Sequence, residues 1–368
     1  MPTVENVPGR HDTAPPGHDA TLEQPARARG HLSGRRLAGD EQPPPPRIGR
    51  LSSTALRGLW ILALVALALG LAATRTIETP KLVQQSMAAA LGVVLAIGLA
   101  VRSGGQAPLA AAVAACLGGA AVATQWAPLL AGAAVATGVV AACLAVLATR
   151  PAVKFPAVAL EVVLALLLAT AGALAVAGFA VDLDVERLAY TVVLLSLAAA
   201  LALVNRLGGG LHTLGRRGVL LAAGATVLLV VVLVYTAALT RYGSPELVMQ
   251  VRSAEGWAQD HLGGVPRPVE MLVGIPALAW GVSMRTRRRQ GWWVCAFGAT
   301  ATAAATSRLV VQRVDELSTA LSVGYSIVGG LLLGYVVIRL ERLLTGRGSR
   351  AEQAQVHREE PGRMQPLH

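Results

Sequence analysis

The chain has 368 residues, 54% of them hydrophobic and 14% charged, with a formal net charge of +11. A mean hydropathy of +0.55 and repeated apolar runs exclude an ordinary soluble domain and a singly anchored one. The excess charge sits in the tails and short loops without a basic stripe and interleaved aromatics. That argues against nucleic acid and for anionic lipid headgroups at cytoplasmic Arg clusters.

Residues 1–54 are rich in Pro, Gly and Arg, include the run Pro43 to Pro46, and lack apolar periodicity. Such a segment cannot bury enough surface to offset its ordering entropy, so a disordered cytoplasmic tail is expected, with the prolines as a stiff spacer. The first apolar run begins only near residue 58, which does not fit a secretory signal.

Residues 55–340 read as an all-α, polytopic membrane bundle of ten spans: 58–74, 84–101, 107–125, 127–148, 157–181, 188–205, 219–240, 268–284, 291–308 and 318–338. The third and fourth are Ala and Gly rich and joined by Gln125 to Pro128, which predicts a tight helical hairpin. Four short loops, after the second, fourth, sixth and eighth spans, carry Arg102, Arg150 with Lys154, Arg206 with Arg216 and Arg217, and Arg285 to Arg289, without an Asp or Glu. The other connections carry the acidic residues. Orientation follows Lys and Arg, so the acid-free loops and both termini are expected on the cytoplasmic side. Thirty Arg against two Lys, with abundant Ala and Gly, resembles GC-rich bacterial coding and suggests a bacterial plasma membrane.

Aromatic residues agree with this register. Trp280, Trp292 and Trp293 flank the loop from Arg285 to Arg289, Trp60 and Tyr335 fall near inner ends, and Trp126, Tyr190, Tyr235 and Tyr242 near outer ends. An interfacial belt is the expectation.

The outer connection between the seventh and eighth spans is long enough for structure of its own. Over 244–263, Ser244, Pro245 and Glu246 form a helix start, Leu247, Val251, Ala254 and Trp257 share one face, and Gly263-Gly264 ends it. This predicts an amphipathic extracytoplasmic helix. Beyond the tenth span, 341–368 is expected to be a disordered cytoplasmic tail, with Arg339, Arg342, Arg347 and Arg350 available to anionic lipid.

Ionisable groups inside a membrane are costly and therefore candidates for function. Glu161 stands in the fifth span, seven residues past Lys154, roughly 10 Å along a helix. It is the candidate ion or proton site, against an interhelical bond or interfacial ion pair. Asp182, Asp184 and Glu186 form an outer acidic cluster that could hold a divalent cation. Glu270 and Arg308 lie at outer span ends. The pair Asp260-His261 is weaker, because a base needs a pocket and a nucleophile. Thr300, Thr302, Thr306 and Ser307 read as helix-packing hydroxyls, as does Gly330-x-x-x-Gly334 for close helix approach. Cys116, Cys143 and Cys295 lie inside apolar runs without metal-ligand spacing. Gly208 to Gly210 lacks the strand that precedes a nucleotide loop, and no catalytic motif stands out.

Two halves of five spans would be oppositely oriented, as in inverted-repeat transporters. Interruptions at Gly118-Gly119 and at Gly274 with Pro276 fall in the third span of each half. Short loops, few buried charges and a basic cytoplasmic face favour instead a non-catalytic envelope protein that binds or organises partners, another membrane protein or a second copy. Transport of a small molecule is the alternative, and an envelope enzyme on a lipid-linked substrate the third reading. No cofactor or metal is implied.

Overall fold

The structure, a computed structural model, describes residues 53–181, 185–207, 245–287, 291–299, 316–345 and 361–367, with position 303 and scattered positions between 219 and 234. No strand occurs among the described residues. The helices are α1 (Ser53–Ala73), α2 (Lys81–Arg102), α3 (Ala107–Thr124), α4 (Ala127–Leu147), α5 (Phe155–Gly178), α6 (Val185–Leu207) and α7 (Pro245–Leu262). A π-helical turn, Glu270–Gly274, then leads into α8 (Ile275–Arg285), and α9 is Glu316–Thr345. Residues 291–299 are also helical.

Seven segments are long and apolar enough to cross a membrane: Thr54–Ala73, Lys81–Arg102, Ala107–Thr124, Ala127–Leu147, Phe155–Gly178, Tyr190–Leu207 and Leu321–Leu344. The chain is therefore a helical integral membrane protein. These segments correspond to the first six expected spans and the tenth. The eighth, 268–284, is found as helix containing the π turn. The seventh and ninth, 219–240 and 291–308, fall partly outside the described residues, as do residues 1–52 of the expected tail 1–54.

Local chemistry sets several helix starts. α3, α4 and α5 each carry a proline in the first turn, where a missing N–H costs nothing. Between α3 and α4 the chain reverses at Gln125, which adopts a left-handed φ of 52° and donates its N–H to Ala121 O at 3.1 Å. The Gln125 amide Nε2 then donates to Gln85 Oε1 at 2.7 Å, and Gln85 Nε2 donates to Phe179 O at 3.1 Å. Three helices are thereby joined at one end through an amide pair in which Gln85 is buried and Gln125 exposed.

α2 is central, packing against α1, α3, α4 and α5, while α4 also meets α6. Without a hydrophobic drive between helices in lipid, close approach of small residues does this work. A Cβ at Gly172 of α5 would fall 2.1 Å from Ala141 Cβ of α4. Trp60 of α1 lies over Gly98 of α2 and donates Nε1–H to Val94 O at 2.8 Å. Leu59, Leu62 and Leu69 on the other side of α1 are exposed, as lipid-facing residues should be.

α9 lies along the π turn and α8 through a small residue at every fourth position: Ser318, Ser322, Ser326, Gly330 and Gly334. Gln259 Nε2 donates to Ser318 Oγ at 2.7 Å, Val265 N–H to Ser322 Oγ at 3.0 Å and Arg267 N–H to Ser326 Oγ at 2.7 Å. Gly330 and Gly334 pass under Ile275 and Ala279. This glycine pair is used within the bundle.

Three expectations need correction. Gly118-Gly119 does not interrupt α3: Gly118 faces Ala89 and Gly119 faces open space. The helix runs on because glycine, unlike proline, keeps its backbone N–H for the helical ladder. At Gly274 and Pro276 the interruption is real, since Ile275 N–H reaches Glu270 O in a π turn just before the proline. The two halves are thus not alike at this position. Trp292 and Trp293 are buried in the bundle, 9% and 6% exposed, in place of an interfacial belt.

The third concerns 341–368. α9 continues to Thr345, where good helix formers extend it past the apolar run. Its end is held by an Arg287–Glu341 ion pair at 2.9 Å and by Arg342 donating to Val153 O at 3.0 Å. Residues 361–367 pack against the bundle.

α7 begins at Pro245 and stops at Gly263, whose φ of +69° closes the helix with its N–H on Gln259 O. Of the expected apolar face, Ala254 and Trp257 are exposed, and the side chains of Leu247 and Val251 lie outside the described residues.

Candidate functional site

The most polar buried region lies where α4 ends and α5 begins. A helix C-terminus leaves carbonyls unsatisfied and partially negative. Two guanidiniums from other helices meet this end. Arg102, the last residue of α2 and 0% exposed, donates Nε–H to Leu147 O at 2.7 Å. Arg285, the last residue of α8 and 3% exposed, donates to Thr149 Oγ1 at 2.7 Å and Thr149 O at 3.0 Å. Its guanidinium also sits 3.4 Å from the centroid of the Trp292 ring, a cation–π contact. The Thr149 hydroxyl in turn donates to Val146 O at 2.7 Å.

Glu161 stands two turns into α5, 8% exposed. Its Oε2 accepts the Arg150 N–H at 2.9 Å, so the carboxylate leans back over the α4–α5 connection. Its Oε1 pairs with Arg363. The segment carrying Arg363 is a turn: Gln365 N–H donates to Gly362 O at 3.0 Å, and Gly362 N–H donates to Gln365 Oε1 at 2.8 Å. Arg102 Nη1 faces three carbonyls of this turn, Gly362 at 2.8 Å, Gln365 at 3.1 Å and Pro361 at 3.3 Å. Leu367 completes the contact by packing against the hydrophobic core cluster to which Val158 and Leu147 belong.

Guanidinium suits this geometry because its planar fork can serve the bundle with one edge and the turn with another. The arrangement orients and holds a peptide segment. Among the described residues, no nucleophile is paired with a base in it.

The other candidates that are described lie apart from this site. Glu270 is 5% exposed and accepts from Arg267 Nη1 at 3.1 Å, at the opposite end of α8. Asp182, Asp184 and Arg308 lie outside the described residues, as do Gly208 to Gly210, Thr300, Thr302, Thr306 and Ser307, and the Glu186 side chain. Asp260 and His261 are exposed on α7, with His261 stacked on Trp257 at 4.9 Å between centroids. Cys143 and Cys295 are buried and Cys116 exposed, and none of the three is in a disulfide. No group of three His, Cys, Asp or Glu among the described residues is placed to hold a metal. A shallow open groove between α1 and α2, lined by Leu67, Leu82, Val83, Ser86, Met87 and Ala90, is almost wholly apolar and suits acyl chains.

Sequence reasoning places Glu161 among the candidates but misses Arg102, Thr149, Arg285 and Arg363. Arg102 and Arg285 read as loop charges because they end their spans. Their burial depends on segments distant in sequence, which leave no local signal. No protein-family model, curated protein or solved structure matches this chain, so the reading of the site rests on its own geometry.

Proposed function

We propose that this is a non-catalytic, multi-pass protein of the bacterial plasma membrane that binds and organises partners at its cytoplasmic face. In this reading it has ten spans, both termini inside, and α7 on the outer surface with its Trp257 side toward lipid. The gathering of Arg102, Arg150, Arg285 and Arg342 around one end of the bundle supports that orientation, since positive residues mark the inner side.

The observation that carries the reading is the double engagement of Glu161. One carboxylate oxygen takes the Arg150 N–H and the other takes Arg363, so the candidate intramembrane carboxylate anchors a peptide segment. A transporter of five-plus-five type is the second reading. It draws on the π turn at Glu270–Gly274 beside the buried Arg267–Glu270 pair, because broken helices commonly mark transport sites.

Reconstitution separates the two. In proteoliposomes, the unsubstituted protein should leave proton and sodium flux at the level of protein-free liposomes. Glu161→Gln should leave flux there too, while exposing the peptide bond after Arg363 to trypsin. Flux above the liposome baseline that disappears in Glu161→Gln would replace this reading with transport.

A further inference from the structure

The walls of the Arg102–Glu161 site are held by the bundle itself. Arg102 is fixed through Nε to Leu147 O, which leaves Nη1 for the turn. Glu161 is fixed through Oε2 to the Arg150 N–H, which leaves Oε1 for Arg363. Each wall residue is therefore divided between a structural partner and an occupant. That is preorganisation for a ligand, and it does not depend on the ligand being present.

What the walls read is generic. Arg102 meets main-chain carbonyls, Glu161 meets one arginine, and Leu367 supplies one apolar contact. The side chains of Gln365 and Pro366 are exposed. The Arg363 side chain is 35% exposed, so water and salt weaken its hold on the carboxylate. Arg102, by contrast, is fully buried, and leaving its Nη1 without acceptors is costly. Such a site exchanges one occupant for another more readily than it stands empty.

We infer that this cleft is a binding site for a protein segment that forms an arginine-bearing turn followed by an apolar residue, and that residues 361–367 are its displaceable occupant. The partner presents three carbonyls to Arg102 and an arginine to Glu161, and must displace the resident segment to do so. This rests on the partner-binding reading above and gives it a ligand class. Complementarity of charge and the resident segment itself both define what fits.

The test uses the full chain in lipid nanodiscs and a fluorescein-labelled synthetic peptide of residues 359–368. Arg363→Glu places like charge against Glu161 and should free the site, seen as faster hydrogen exchange at 361–367. The peptide should then bind Arg363→Glu saturably and at least tenfold more tightly than the unsubstituted chain. Adding Glu161→Gln should weaken that binding at least tenfold, and a peptide with alanine in place of its arginine should not compete. Arg363→Ala serves as a second, milder opening variant with the same expectation. The inference fails if the peptide does not bind an opened site, if it binds all variants equally, or if neither substitution releases 361–367. Ion flux lost in Glu161→Gln would overturn the proposed function while leaving peptide binding as it is, so the two failures are distinguishable.

Discussion

Arg102 donates from Nη1 to the carbonyl of Gly362 at 2.8 Å, across 260 positions of sequence. The same guanidinium caps α4 through Leu147, so one side chain ties the second helix, the fourth helix and the distal segment together. Arg102→Met keeps much of the volume and removes every donor. It should destabilise the protein by about 1–3 kcal/mol, the cost of buried acceptors left unmet. Hydrogen exchange at 361–367 should rise together with a lower unfolding temperature. Unchanged protection of those residues would show that Arg102 does not hold them.

The Arg267–Glu270 pair is buried on both sides, with side chains 6% and 7% exposed. Glu270→Leu leaves a buried cation without this carboxylate and should cost about 3–5 kcal/mol. Replacing both partners, Arg267→Met with Glu270→Leu, should recover much of that loss, because the desolvation of two charges disappears with them. Additive losses in the double variant, read by thermal unfolding in the same detergent, would contradict an interaction between the two.

Gly172 and Gly119 make a controlled comparison. A Cβ at Gly172 would fall 2.1 Å from Ala141 Cβ, whereas at Gly119 nothing lies within 4 Å. Gly172→Ala should therefore separate α4 from α5 and cost about 1–3 kcal/mol. Gly119→Ala should stay within about 0.5 kcal/mol, as surface substitutions do. Equal stability of the two variants would mean that α4 and α5 do not cross at this residue.

Orientation is checked by thiol labelling after replacing Cys116, Cys143 and Cys295 with Ser or Ala. A cysteine at Gly209 or Thr286 should react with an impermeant maleimide only after the membrane is opened. Labelling of either site in intact cells would reverse the proposed topology.

The helices were largely legible because each apolar run is bounded by local signals. α3 and α4 begin and end within about a residue of the expected 107–125 and 127–148, since prolines start both and Gln125 turns the chain. α9 runs past the expected 318–338 because helix formation continues through Arg339, Glu341 and Arg342, where hydropathy has already fallen. The site was legible only at Glu161, a charge conspicuous by its depth. Arg102 looks like any arginine at a membrane boundary; its burial arises from α4 and from residues 361–367, neither of them near it in sequence. The same holds for Gly330 and Gly334, whose spacing was visible while their neighbours Ile275 and Ala279 were not.

The reach from Arg102 to residues 361–367 also orders events during biogenesis. When α2 enters the membrane, the carbonyls that will surround Arg102 Nη1 are still some 260 residues from being made. At ~5–20 residues per second, that interval is roughly 13–50 s. Throughout it Nη1 meets water in place of those carbonyls, while Nε can already reach Leu147 O of α4. Sealing of this face is therefore a late step, in which the distal segment closes over a guanidinium that α4 has already capped.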